Sequence, residues 1–254
     1  MNRSPFRKGK GKVRVLHEKT ASEERLQTIV FDFDGTLAEL HLNFGLMKQR
    51  VALLAAEWLR VVLTPVLPVL EWLDHLEGEI RAVDDSGADE FRRRANQIVL
   101  SMELEAAREG ALFPFTRRLL ERLEGMGIHT AIITRNCAEA VRIVFPDMHR
   151  YCRCFLARDH VFRVKPDPEH LQRALEHFGT VPEVSLMVGD HPLDVQTGKR
   201  AGARTAGVAS GSASWSELAQ SGADWVAADC RALCRALELD GVLGRSFHVR
   251  PPRG

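Results

Sequence analysis

Cysteine is scarce in this chain of 254 residues: there are five, an odd number, with no Cys-x-x-Cys pair. That excludes a disulfide framework and a zinc ribbon, and makes reduced thiols the expectation. Long apolar runs are also missing. The most apolar stretch, residues 51–73, is broken by Glu57, Arg60, Pro65, Pro68 and Glu71, so it is not a membrane span. The basic N-terminus lacks the apolar segment of a secretory signal, and a soluble cytoplasmic protein is expected. Net charge is nearly absent, at +1, but it is unevenly laid out. Residues 1–14 carry six basic residues and no acid, and residues 245–254 carry three arginines and no acid. The remaining 26 basic residues face all 34 acidic ones, so the body of the chain stands at −8. An acidic body with basic ends excludes a dedicated nucleic-acid binder, whose basic residues cluster on the fold. The ends read as solvated tails. No internal repeat is present.

What the chain does have is an ordinary globular composition, 45% hydrophobic and 27% charged. Its length suits one large domain or a domain with an insertion. Thr28-Ile29-Val30-Phe31 is a short apolar run that ends in Asp32, a buried strand followed at once by acid. From about Leu42 to Arg108 the pattern is helical. Phe44, Met47, Val51, Leu54, Trp58 and Val61 recur at steps of three and four and predict one buried helix face. Pro65 and Pro68 break that helix. Two more helices are expected over Val69–Val83 and Ala88–Arg108, separated by an Asp84-Asp85-Ser86-Gly87 turn.

After Pro114 the rhythm alternates. Strands are expected at Thr130–Ile133, Cys154–Leu156, Ser185–Val188, Thr205–Val208 and Trp225–Val226, with helices between them. Asp167 and Pro168 open one helix as N-cap and first residue, and Ser214 with Glu217 forms a capping box for another. Such alternation predicts an α/β fold with a parallel sheet and helices on both faces. The predicted layout is a tail over 1–26, a core over 27–40 and 112–240, a helical cap over 41–111, and a tail over 241–254. An insertion leaving the end of the first strand would sit over the crevice where open parallel sheets bind ligands.

Polar clusters follow the strands: Asp32-Phe33-Asp34-Gly35-Thr36, Thr134-Arg135-Asn136, Lys165-Pro166 in a later loop, and Gly189-Asp190-His191-Pro192-Leu193-Asp194. Four carboxylates converging on one crevice repel one another. A hard divalent cation and a lysine relieve that repulsion, so Asp32, Asp34, Asp190 and Asp194 predict a Mg²⁺ site, with Lys165 neutralising a further charge. The substrate expected there is anionic, a small phosphorylated metabolite. A carboxylate can attack phosphorus, and a second one two residues on can donate a proton and then activate water. Gly35 suits a tight turn, and Thr134 with the N–H groups after it suits phosphate oxygens.

These four motifs, in this order and spacing, resemble the haloacid dehalogenase (HAD) superfamily over roughly residues 28 to 230. The resemblance implies a Rossmann-like doubly wound core. It further implies that Asp32 is the nucleophile and a Mg²⁺ ligand, and that Asp34 is the acid–base, its carbonyl touching the metal. Thr134 then binds phosphate, Lys165 steadies the charge, and Asp190 and Asp194 hold the metal. Gly35, Thr36, Arg135 and Asn136 are candidate phosphate contacts. The helical insertion resembles the C1 cap subfamily, which includes phosphoglycolate phosphatases and β-phosphoglucomutases. Asp34 favours phosphoryl transfer, since the dehalogenases lack a carboxylate there. Thr-Arg-Asn looks like the phosphoglycolate phosphatase type. Ala38-Glu39-Leu40-His41 and Pro114-Phe115 depart from the usual pattern and leave the substrate open.

The expected activity is therefore a Mg²⁺-dependent phosphatase, monomeric or homodimeric, acting on a phosphoglycolate-like monoester. The alternatives are a phosphomutase of the same superfamily and a non-catalytic phosphate-binding protein; a receiver domain does not explain the insertion. Among the single residues, Arg135 could instead pair with an acid, Asp194 could cap its helix, and His191 could merely line the mouth. Arg92, Arg93 and Arg94 read as a solvated helix face.

Overall fold

The computed structural model describes residues 25–243, so most of the expected tails, 1–24 and 244–254, lie outside the described residues. Strand β1 (Thr28–Phe31) is buried at every position. Strand β2 (Ala38–Glu39) leads into three helices, α1 (Phe44–Leu59), α2 (Val69–Arg81) and α3 (Asp85–Glu109), and β3 (Ala111–Leu112) leads out of them. Then come α4 (Thr116–Gly125), β4 (His129–Ile133), α5 (Ala138–Val144), β5 (Cys154–Leu156), α6 (Pro168–Phe178) and β6 (Ser185–Gly189). The chain continues through α7 (Pro192–Ala201), β7 (Arg204–Val208), α8 (Trp215–Gln220), β8 (Trp225–Ala227) and α9 (Cys230–Leu239).

Six strands form one parallel sheet in the order β5-β4-β1-β6-β7-β8. Successive side chains of a strand point to opposite faces, and β1 shows it. Ile29 and Phe31 join Leu120, Val141 and Leu237 in one core, while Val30 joins Ala131, Leu171 and Met187 in another. This is the doubly wound α/β arrangement that the alternating pattern predicts. The chain leaves β1 toward β4 on one side and returns to β6 on the other. That reversal places a crevice beyond the carboxyl end of β1.

The three inserted helices have a core of their own, in which Met47, Val51 and Leu54 of α1 meet Trp72, Leu76 and Phe91. Burying each such side chain contributes roughly 1.5–3 kcal/mol. The link to the sheet domain is the antiparallel pair of β2 and β3, two residues each and too short to leave a periodic signature.

Three local expectations change. The predicted turn at 84–87 is the start of α3: Asp84 is the N-cap, and its carboxylate accepts from the Gly87 amide at 2.9 Å. Helix α7 starts two residues before Asp194, with His191 as N-cap, so Asp194 is the third helical residue and not the cap. The α1 face is buried at Met47, Val51 and Leu54 but not at its ends: Phe44 is about half exposed, and Val61 lies beyond the helix in the open.

His170 on α6 is fully buried and braces the loop carrying Lys165. Its Nδ1 accepts from the Lys165 amide at 3.3 Å, and its Nε2 lies 3.0 Å from the Leu156 carbonyl. Burial, with the Lys165 charge nearby, pushes the imidazole down from 6.5 to about 4. A depressed pKa contributes stability that is complete above 6.5 and is lost as pH falls through 4. The loss should reach about 3 kcal/mol. Denaturant melts of wild type and His170→Gln between pH 7 and pH 4 should show the wild type losing that much more; parallel pH profiles would contradict this reading.

Candidate active site

The ends of β1, β4 and β6 each deliver a polar group into the crevice within a residue of the last strand position. At its centre is the Lys165 ammonium, 2.6 Å from Asp32 Oδ1 and 2.6 Å from Asp194 Oδ1. All three side chains are buried. Burial alone would lower the lysine, but Asp194 and Asp32 outweigh it and raise its pKa. The acids respond differently. Burial pushes Asp32 up to about 6, with the Lys165 charge opposing and Asp194 adding to the rise. Asp34 rises to about 7, through burial first and then the charges of Asp32 and Asp190, against the pull of the Leu40 amide. Asp190 and Asp194 are raised for the same first reason. One ammonium is too little for this set of acids.

That deficit is what a hard cation corrects. One carboxylate oxygen from each of Asp32, Asp190 and Asp194 lies within 4.8 Å of the others. Three anionic oxygen donors so close together fit a small divalent ion that completes its shell with water. The Asp34 carboxylate is outside this trio; its Oδ1 accepts from the Leu40 amide at 2.9 Å.

Close packing fixes the acids. Gly35 has φ +73°, and a Cβ there would stand 2.5 Å from the Asp190 carboxyl carbon. A Cβ on Gly189 would stand 2.0 Å from Asp194 Oδ2. Only glycine admits these approaches. Asp190 Oδ2 accepts from the Ser212 amide at 2.6 Å and from its hydroxyl at 2.8 Å, while Ser210 Oγ donates to the Gly35 carbonyl at 2.7 Å. Asp194 Oδ2 accepts from the His191 amide at 3.1 Å. Sequence reasoning missed Ser210 and Ser212. Their one signal was a run of small polar residues just after a predicted strand.

Thr134 and Asn136 are both buried at the cavity wall, and the Asn136 amide donates to Thr134 Oγ1 at 3.2 Å. Arg135 makes a two-pronged pair with Glu71 of α2, at 2.6 and 2.7 Å, and also donates to the Lys165 carbonyl. Burial would raise the Glu71 pKa, but Arg135 outweighs it and holds it below the carboxylate norm. The guanidinium is thus committed to an acid, the second of the two readings open for it. Thr36 does not reach the cavity. It is fully buried, and its carbonyl accepts from the Cys230 thiol, so a phosphate contact through its side chain is excluded in this arrangement. Glu103 of α3 is nearly buried and pairs with Arg158 at 2.5 and 2.9 Å. Glu71, Glu103 and Arg158 had no motif to announce them. Arg92, Arg93 and Arg94 pair with cap acids, Arg92 with Asp74 and Glu77, Arg93 with Glu90 and Arg94 with Glu57.

The cavity over these groups measures about 740 Å³. Its floor is Asp32, Asp34 and Lys165, and its roof is the cap, including His41, Phe44, Met47, Lys48 and Leu67.

Among the described residues no helix is long and apolar enough to cross a membrane. Residues 26–202 match the family model for haloacid dehalogenase-like hydrolases. An N-acetylmuramic acid 6-phosphate phosphatase of Pseudomonas aeruginosa is 30% identical over 203 residues, covering 72% of this chain and 82% of that protein. Pyrophosphatase PpaX of Oceanobacillus iheyensis is 24% identical over 192 residues, covering 72% and 84%. Among solved structures, a hydrolase from Pseudomonas syringae superposes with a TM-score of 0.62 at 22% identity, covering 86% of this chain and all of that one. The fold and the matched model agree: this chain belongs to the haloacid dehalogenase-like hydrolases.

Proposed function

We propose that the chain hydrolyses a small phosphomonoester through a phosphoryl intermediate on Asp32, with Mg²⁺ held by Asp32, Asp190 and Asp194. The observation that carries this reading is the buried Lys165, shared by Asp32 and Asp194, with Asp34 raised to about 7 two residues from the attacking acid. Lys165 and Thr134 orient the phosphoryl group, with Asn136 and Gly35 at the same wall. An Asp32 oxygen attacks phosphorus as the bond to the leaving oxygen breaks, and protonated Asp34 gives that oxygen its proton. The alcohol departs. Asp34, now a carboxylate, takes a proton from water; the water oxygen attacks phosphorus, and Asp32 leaves as a free carboxylate with release of inorganic phosphate. The metal, when bound, supplies positive charge that offsets the carboxylates and the phosphoryl oxygens.

Volume bears on the substrate. A cavity of about 740 Å³ exceeds what phosphoglycolate, the expectation by resemblance, would occupy. That molecule would use the phosphate end alone. A phosphosugar, of the kind named for the Pseudomonas aeruginosa relative, would also meet the cap wall at Phe44, Met47 and Leu67.

Phosphate release from a panel of monoesters tests this reading. Asp32→Asn should abolish turnover with the fold intact. Asp34→Asn should cost about 10²–10⁴-fold in kcat, most on substrates with poor leaving groups. Unchanged turnover in Asp32→Asn would overturn the assignment, and an isomerised sugar phosphate without free phosphate would make the enzyme a mutase.

Chelation is a separate test. EDTA should stop phosphate release and excess Mg²⁺ should restore it, while the circular dichroism spectrum stays constant. Full activity in EDTA would remove the metal from the reading.

A further inference from the structure

A second groove, of about 420 Å³, opens between α4 and α9 and shares no lining residue with the catalytic cavity. Four guanidiniums line it, those of Arg118, Arg122, Arg231 and Arg235. Two carboxylates answer them: Glu238 takes Arg122, and Asp229 takes Arg231 at 2.7 Å. Arg118 and Arg235 have no hydrogen-bond or ion-pair partner among the described residues. Two positive charges are therefore left uncompensated in one concave place.

Helix α4 deepens the imbalance. It has no acidic residue in its first turn, and its N-cap, Phe115, offers no side-chain acceptor; α9 is capped by Asp229, whose carboxylate accepts from the Ala232 amide at 2.8 Å. Arg118 stands in the first turn of α4 instead, at the positive end of its dipole, where a cation is unfavourable unless an anion joins it; Arg122 lies in the last turn of α4 and Arg235 in the middle of α9. The groove also has a firm wall. The Arg231 guanidinium lies 5.1 Å over the Phe115 ring, and Phe115 stacks on Phe113 at 5.4 Å. Arg231 is thereby held at the groove by both Asp229 and an aromatic face.

We propose that this groove binds a phosphoryl dianion, free or carried on a small organic molecule, through Arg118, Arg231 and Arg235. Guanidinium forks match phosphoryl oxygens two at a time, and a dianion matches the two spare charges. The small volume suits a single small anion, and the acidic body of the chain disfavours a nucleic acid. None of these residues touches the cavity over Asp32, so the site stands whether or not the proposed catalytic steps do.

Calorimetric titration of the full chain with inorganic phosphate, in EDTA, tests the site against Arg118→Ser/Arg235→Ser. Wild type should bind one more equivalent than the double variant, or bind at least tenfold tighter, and the difference should shrink as KCl is raised. Arg118→Lys/Arg235→Lys, which keeps both charges, should recover part of the affinity. Phosphomonoester turnover at low phosphate should be the same in all three proteins. Methylphosphonate in a parallel titration separates the sources: tighter phosphate points to the free ion, tighter phosphonate to an organic phosphoryl compound. Equal stoichiometry and affinity in wild type and the Ser variant, or no phosphate binding by wild type, would overturn the proposal.

Discussion

The Lys165 ammonium, wedged between Asp32 and Asp194 at 2.6 Å from each, joins three segments that are remote in sequence. Asp32 directly follows the central strand, Lys165 sits in the loop before α6, and Asp194 lies in the first turn of α7. Burying a charge this deeply is costly, and attraction offsets the cost only when partners are close and the other polar atoms are satisfied. The surroundings meet that condition. Gly189 lets Asp194 lie against the backbone, His191 donates to it, and His170 braces the Lys165 amide. Removing one member of such a set leaves its partners unpaired, at a cost of about 3–5 kcal/mol.

The cap is tied to the sheet domain by more than its two-strand joint. Glu103 of α3 accepts from Arg158 and from the Cys137 amide that opens α5, with a side chain only 4% exposed. Glu71 of α2 meets Arg135 across the cavity, but its side chain is 36% exposed. These two links differ in kind. Water and salt screen the second and weaken it toward the ~0–1 kcal/mol of surface pairs, while the first sits in a poorly screened place. The same cap that closes the cavity is thus held firmly along α3 and lightly along α2.

Much of this was legible in the sequence because it is local. The Thr28–Phe31 run, the proline breaks and the caps at Asp167 and Ser214 each act within a few residues. So do the acid clusters, since a strand end fixes where the next residue points. What was not legible depends on distant partners. Nothing beside Arg135 in sequence shows that Glu71, 64 residues away, will take its guanidinium. Ser212 reaches Asp190 only because β7 pairs with β6. Thr36 differs for a related reason: its full burial is a matter of the tertiary packing around it, which the residues beside it do not show. The alternative that Asp194 caps its helix fails because α7 begins two residues earlier, at Pro192, with His191 as its N-cap.

The raised carboxylates tie the fold to the chemistry. A sequence selected for stability alone would not bury Asp32, Asp190 and Asp194 within 4.8 Å of one another, nor push Asp34 to about 7. Each shift records free energy that the folded state withholds from the ionised form. The sheet tolerates this because β1 is flanked on both sides by paired strands and buried on both faces. That leaves the local cost at the strand end, where an anion with its cation can relieve it. The same logic, with the sign reversed, applies between α4 and α9, where Arg118 and Arg235 are spare and Arg118 stands at the positive end of α4. In both places the unbalanced charge lies in a concavity, outside the packed apolar cores, where a ligand of opposite sign can reach it.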